Sequence, residues 1–166
     1  MPEKETIERA REDAREGKSP STQAGEFVRE EIHHIREGKH GASSTKQAIA
    51  IGLSKARRAG VQLKPPRKGT TSEATRKAAA RDSRKGRTGG KKKTSPRRSR
   101  AMLKRLKREG RSAASSQSLA RQARSAARRR SAASRSASAK KAARTKGPAK
   151  RRAAAKKGAR TRARKQ

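Results

Sequence analysis

The 166-residue chain carries 51 Lys and Arg against 13 Asp and Glu, a net charge of +38, and contains no Cys. That composition excludes disulfide frameworks, thiol nucleophiles and Cys-based zinc sites, and no run approaches the roughly 18 apolar residues of a membrane helix. The charge is unevenly placed: residues 1–40 hold ten acids and eight bases, whereas the 43 bases after residue 40 meet only Glu73, Asp82 and Glu109, so a nearly neutral head precedes a strongly cationic tail.

Apolar material is scarce. Only 15 residues are large and apolar, and nine of them lie between Phe27 and Leu63. Burial yields roughly 25 cal/mol per Å², while ordering the backbone costs about 1–2 kcal/mol per residue. One small core near residues 20–64 is therefore the most that can form. The first residues, MPEKETIERAREDAREG, are too acidic and too polar for a signal peptide, so a soluble intracellular protein is expected.

Residues 4–17 pair acids with bases at Glu5–Arg9, Glu8–Arg11 and Glu12–Arg15, spacings that support a helix by a few tenths of a kcal/mol each. With Ile7 as its one large apolar residue, this segment reads as a frayed, solvated lead-in. In residues 19–38, Ala24, Phe27 or Val28, Ile32 and Ile35 recur at helical spacing; Ser21 or Thr22 can cap the start, and Gly38 suits the turn past the end. Residues 44–60 repeat the plan, with Ser44 as cap, Ala48, Ile49, Gly52, Leu53 and Ala56 on one stripe, Arg57 and Arg58 at the negative dipole end, and Gly60 as terminator. Together they predict an antiparallel helical hairpin in which the small residues Ala48, Gly52 and Ala56 allow close approach. Val61 and Leu63 fold back before Pro65-Pro66 ends the domain. So few large side chains imply a marginal domain or a homodimer through the hairpin.

Beyond Pro66 the chain is low-complexity, built almost wholly of Ala, Ser, Arg, Lys, Gly and Thr. Ser95-Pro96 opens a helix carrying Met102, Leu103 and Leu106 on one side up to Gly110. RSAA recurs at residues 111–114, 124–127 and 130–133, where Ala and Arg favour helix and dense like charge opposes it. Helix conditional on phosphate binding is expected for about 112–143, and coil for 147–166. The fold class read from the sequence is thus all-α, a small antiparallel helical hairpin followed by a long basic, largely disordered tail with conditional helices. Its divisions are a charged lead-in (1–18), the hairpin (19–64), a basic linker (65–95), conditional helices (96–145) and a Lys/Arg/Ala tail (146–166).

A cation about every third residue suits a phosphate backbone; about ten contacts would make affinity fall on the order of 10⁵-fold between 50 and 200 mM salt. The chain has no Asn, and its few tail Gln residues are not arrayed for bidentate base readout. Single-strand modules stack bases on aromatics, and here Phe27 alone is aromatic and is claimed by the core, so duplex DNA is favoured over RNA as the partner. Expected contacts begin at the N-terminus of the hairpin's second helix, where Lys39, His40, Ser44, Thr45 and Lys46 surround free N–H groups that can hold one phosphate, although ordinary capping is the favoured explanation. Arg57 and Arg58 follow, then Lys91, Lys92 and Lys93, and Arg97, Arg98 and Arg100. Further along stand Arg121, Arg124, Arg128, Arg129 and Arg130, then Lys140 and Lys141, and finally Lys150, Arg151 and Arg152.

GKHGASSTK, residues 38–46, lacks the Lys position of a nucleotide-binding Walker loop. His33 and His34 with Glu30 and Glu31 lack a third ligand at metal spacing, and Glu30–His34 reads as a surface pair. No catalytic, cofactor or metal site is expected, no membrane partner, and no small-molecule substrate.

The block STQAGEFVREEIHHIREGKHGASSTKQAIAIGLSKARRAG, with its KQAIAIGLS box, resembles an uncharacterised family of small bacterial Lys/Arg-rich proteins classed as a domain of unknown function. RSRAMLKRLKREGRSAASSQSLARQARSAARRRS is similar to the tails of those proteins, Ser95-Pro96-Arg97-Arg98 is similar to Ser-Pro-basic-basic units of histone tails, and the Ala/Lys/Arg terminus is similar to linker-histone tails. The resemblance implies a bacterial, histone-like protein and carries over no catalytic residues. The cationic segment behind a nearly neutral helical pair leads to the expectation of a nucleoid-associated, linker-histone-like protein whose tail neutralises and bridges duplex DNA phosphates without sequence specificity. Two alternatives stay open: an RNA- or ribosome-associated basic protein, and a protein-interaction hairpin whose tail supplies electrostatic anchoring.

Overall fold

The computed structural model describes residues 2–89 and 95–164. Among these the chain is all-α. Its helices are α1 (Lys4–Arg15), α2 (Pro20–Arg36), α3 (Thr45–Arg58), α4 (Glu73–Thr88), α5 (Pro96–Arg108), α6 (Ser116–Arg128) and α7 (Ala132–Ala163), with a 3-10 turn at Ser112–Ala114 before α6. The chain divides into two compact units, Met1–Gln122 and Ala123–Gln166. No helix among the described residues is long and apolar enough to cross a membrane.

The centre of the first unit is the expected hairpin. Ser19 stands at the N-cap position of α2 without a side-chain cap bond, with Pro20 at the first helical position, two residues before the anticipated start, and Ser44 caps α3 by accepting from Gln47 N. Gly38, at φ 80°, ends α2 in the left-handed conformation. Pairing along the hairpin runs antiparallel: Ala24 packs in one cluster with Ala56, Val28 lies against Gly52, and Ile32 and Ile35 share a second cluster with Ala48. A Cβ on Gly52 would fall 2.7 Å from Val28 Cα, so the small-residue stripe does admit the facing backbone. Val61 and Leu63 pack on the Phe27 cluster.

Three expectations are corrected. The first concerns α1, which is no solvated lead-in: Thr6, Ala10 and Asp13 are buried, Ala10 and Ile7 join the Phe27 cluster, and Arg9 Nε donates to Glu26 Oε2 at 2.9 Å. The second concerns the tail, which is helical rather than largely disordered, with helices from residue 73 to residue 163. Ala, Lys and Arg stand near the top of the helix scale, and their summed propensity outweighs like-charge pairs worth a few tenths of a kcal/mol. The coil expected at 147–166 is helix through Ala163, interrupted where Gly147 (φ 66°) precedes Pro148.

The third correction is that Pro65-Pro66 does not end the domain. Helix α4 packs on α3, with Ala79 and Asp82 buried; Asp82 accepts from Ser54 Oγ at 2.7 Å and Arg58 Nε at 2.9 Å. Further on, Ala113 and Ala114 enter the Ile32–Ile35 cluster, with Leu119 against it. With α1, α4 and residues 113–114 seated on the hairpin, Ala48, Gly52 and Ala56 of its apolar stripe are buried and Ile49 and Leu53 are half-buried.

Candidate nucleic-acid interface and a buried carboxylate cluster

The residues expected around one phosphate at the start of α3 are drawn apart. Ser44 is spent on its own cap, and Gln47 Oε1 accepts from Ser43 N at 2.7 Å. Thr45 is buried and donates to Ala113 O at 2.7 Å. Lys39 Nζ pairs with Glu37 (3.1 Å) and Glu3 (3.3 Å), which hold its pKa above the ordinary value. His40 turns toward Glu31. Lys46 alone of the five is an exposed cation without a role in the turn. Arg57 is buried, its guanidinium pKa lowered by burial against the opposing pull of Asp82, and Arg58 is tied to Asp82. Thr45 and Arg57 therefore face the bundle rather than a ligand.

The later cations are placed differently. Arg97, Arg98 and Arg100 are exposed on α5, which buries no residue. On α6, Arg121, Arg124 and Arg128 are exposed; at about 100° per residue they share one face within roughly 60° and span about 10.5 Å of axis. One DNA strand presents a phosphate per about 3.4 Å of axis, so this row matches about three. Arg129 is exposed; Arg130, also exposed, donates to Ser134 O at 3.0 Å and to Ser138 Oγ. Lys140, Lys141, Lys150, Arg151 and Arg152 are exposed on α7. Lys91, Lys92 and Lys93 lie outside the described residues.

The structure also assembles a group that sequence spacing does not reveal. Glu30 and Glu31 are 4% and 0% exposed, not surface residues, and Lys55 reaches both, Nζ lying 3.0 Å from Glu30 Oε1 and 2.8 Å from Glu31 Oε2. Burial pushes the Glu30 carboxyl up, but the Glu3 N–H, Lys55 and Thr6 together leave it below its ordinary value. Burial likewise lowers the Lys55 pKa, and Glu31 and Glu30 more than restore it. The Lys55–Glu31 contact is an ion pair without hydrogen-bond alignment, because neither Glu31 oxygen receives a directed bond.

Two histidines close the group. His34 Nε2 lies 2.8 Å from Glu3 Oε1, and His40 Nε2 lies 3.4 Å from Glu31 Oε1. His40 is the third residue that helical spacing could not supply, and a distant segment brings it in: Gly41 N donates to Leu106 O at 2.9 Å and Ala42 N to Gly110 O at 3.2 Å. Gly41 has no room for a Cβ beside the Glu109 carbonyl. The 37–44 loop is thus seated on the end of α5.

A model of a family of unknown function (DUF6496) matches residues 6–69, less than half the chain, taking in α1 to α3 and leaving α4 to α7 outside. No curated protein and no solved structure matches.

Proposed function

We propose that this chain is a histone-like, nucleoid-associated protein that binds duplex DNA without sequence specificity, its exposed cationic helices neutralising and bridging phosphates. The observation that carries the reading is the one-signed surface of the C-terminal half: 26 Lys and Arg between residues 95 and 164 stand against Glu109 alone, and α5 and α7 bury none of their described residues. Phosphate neutralisation with counterion release needs only such a surface. Base stacking needs aromatics, and Phe27, the one aromatic residue, is 1% exposed, which supports duplex over single-strand recognition.

The test is a competition titration of the full-length chain between length-matched duplex DNA and structured RNA from 50 to 300 mM salt. Preference for the duplex that persists as salt rises is expected. Preference for the RNA would overturn the reading in favour of a ribosome- or RNA-associated protein. Equal, steeply salt-sensitive binding to both would leave the cationic helices generic and move specificity to the α1–α4 bundle.

A further inference from the structure

We propose that Glu31, His34 and His40 form a binding site for one divalent transition-metal ion, with zinc as the best-fitting member. One donor atom from each residue lies within 4.8 Å of the others; Glu31 is fully buried and neither of its oxygens receives a directed hydrogen bond. Glu31 Oε2 already has the Lys55 ammonium at 2.8 Å, whereas Oε1 has only His40 Nε2 at 3.4 Å and is the buried oxygen that a further cation would complete.

The outer hydrogen bonds fix which histidine nitrogens are free. His40 Nδ1 is 3.1 Å from Gly41 O; a carbonyl only accepts, so Nδ1 carries the proton and Nε2 of the neutral ring is a lone pair. That lone pair faces another acceptor, Glu31 Oε1, at 3.4 Å. Two acceptors so placed require a cation between them, either a proton or a metal. In a tetrahedral zinc site with bonds of about 2.0–2.2 Å, neighbouring donors are separated by about 3.3–3.5 Å, so the His40–Glu31 edge already has the length that zinc demands.

His34 follows the same pattern. Its Nε2 faces Glu3 Oε1 at 2.8 Å, and with Nε2–H donating to that carboxylate, Nδ1 is the ligand nitrogen. A carboxylate behind a ligating imidazole is the usual outer-shell arrangement: it fixes the tautomer and raises the basicity of the ligand. His34 Nδ1 also lies 4.0 Å from Glu30 Oε1, and with the donors of the three residues within 4.8 Å of one another, reaching zinc-site separations asks side-chain movements of up to roughly 1.5 Å, given the same bond lengths.

Charge points the same way. Glu30 and Glu31 bring two buried carboxylates, and Lys55 supplies one positive charge to them, leaving this cluster one cation short. Lys55 approaches Glu31 through Oε2, so Oε1 stays available on the His40 side. Two imidazoles and one carboxylate suit zinc, with a fourth position for water. The ion would join α2 to the loop held on the end of α5, a staple of the kind small domains use where apolar area is short.

The chain contains its own control, because its third histidine, His33, is exposed on α2 and outside the cluster. Calorimetric titration of the full-length protein with Zn²⁺ should show one ion per chain. His40→Ala and His34→Ala should each weaken binding by more than the tenfold to hundredfold typical of an outer-shell partner, Glu3→Gln by about tenfold, and His33→Ala not at all. Absence of saturable one-to-one binding, or a loss on His33→Ala equal to that on His40→Ala, overturns the proposal. Should His40→Ala lose helical content, the wild-type chain decides: Zn²⁺ must shift the ring-nitrogen resonances of His34 and His40 and spare His33, and shifts at His33 alone, or none, refute the site.

Discussion

Lys55 makes tolerable a charge arrangement that a bundle this small could not otherwise bury. Glu30 and Glu31 lie one after the other on α2, both inside, and the Lys55 side chain is itself 20% exposed. Replacing Lys55 with Met would leave two carboxylates in low dielectric without their ammonium, a loss of about 3–5 kcal/mol by comparison with other broken buried pairs. Urea unfolding of Lys55→Met should move its midpoint accordingly. A change within about 0.5 kcal/mol, as for an ordinary surface substitution, would mean that water takes the place of the ammonium. The pH dependence follows from the direction of each shift. The Glu30 carboxyl is lowered from 4.5, so its contribution is present above that value and is lost as pH falls through the folded pKa beneath it. Lys55 is raised from 10.5, so its contribution is full below that value and is lost as pH rises through the folded pKa above it. Melting midpoints measured across pH should fall at both ends, and the part of the alkaline fall that belongs to Lys55 should be missing from Lys55→Met.

At the scale of elements, α4 shows how this chain builds structure without large side chains. Residues 64–101 include no Val, Ile, Leu, Met or aromatic residue, yet α4 docks on α3 through Ala79, the Asp82 bonds to Ser54 and Arg58, and Gly86, whose missing Cβ lets the Arg57 carbonyl approach. Gly86→Ala should cost about 1–3 kcal/mol as a misfit at a packed contact and should speed amide exchange across 73–88 while the centres of α2 and α3 stay protected; unchanged exchange would show that α4 is held by its ends. The same feature explains what the sequence can and cannot tell. Helices α2 and α3 announce themselves, because Phe27, Ile32 and Ile35 repeat at helical spacing and Ser44, Gly38 and Gly60 punctuate them. Helix α4 and the Ala113–Ala114 turn are silent, because alanine and a buried aspartate give hydrophobic periodicity nothing to register. Low hydrophobicity with high charge then reads as disorder, although Ala, Lys and Arg are strong helix formers. The Glu31–His34–His40 group is half legible: Glu31 and His34 are three residues apart on one helix, but His40 arrives only because carbonyls of Leu106 and Gly110 hold its loop, a pairing between segments far apart in the chain that no local spacing encodes.

For the whole molecule, most of the net charge lies beyond the α1–α4 bundle, although Ala113, Ala114 and Leu119 of the cationic stretch pack into its core. The acids of the first 40 residues are largely spent on intramolecular partners, as Glu3, Asp13, Glu26, Glu30, Glu31 and Glu37 each pair with a cation in the first unit. Cations of that unit such as Lys55 and Arg58 are consumed with them. Those of the C-terminal half are opposed by Glu109 alone, so on the proposed reading they are the charges that would meet a polyanion. Replacing Lys150, Arg151 and Arg152 together with Gln should reduce the slope of log affinity for duplex DNA against log salt by about 2.7, since each phosphate that goes unneutralised removes about 0.9. The same triple substitution should leave the urea midpoint of the bundle unmoved, since no described residue of α7 is buried. Arg58→Gln should do the reverse, weakening the attachment of α4 through Asp82 while leaving the slope nearly unchanged. If instead Arg58→Gln lowered the slope as much per charge as the α7 substitutions, the ion-paired surface of the bundle would be meeting phosphate too, and the division between a folding half and a binding half would fail.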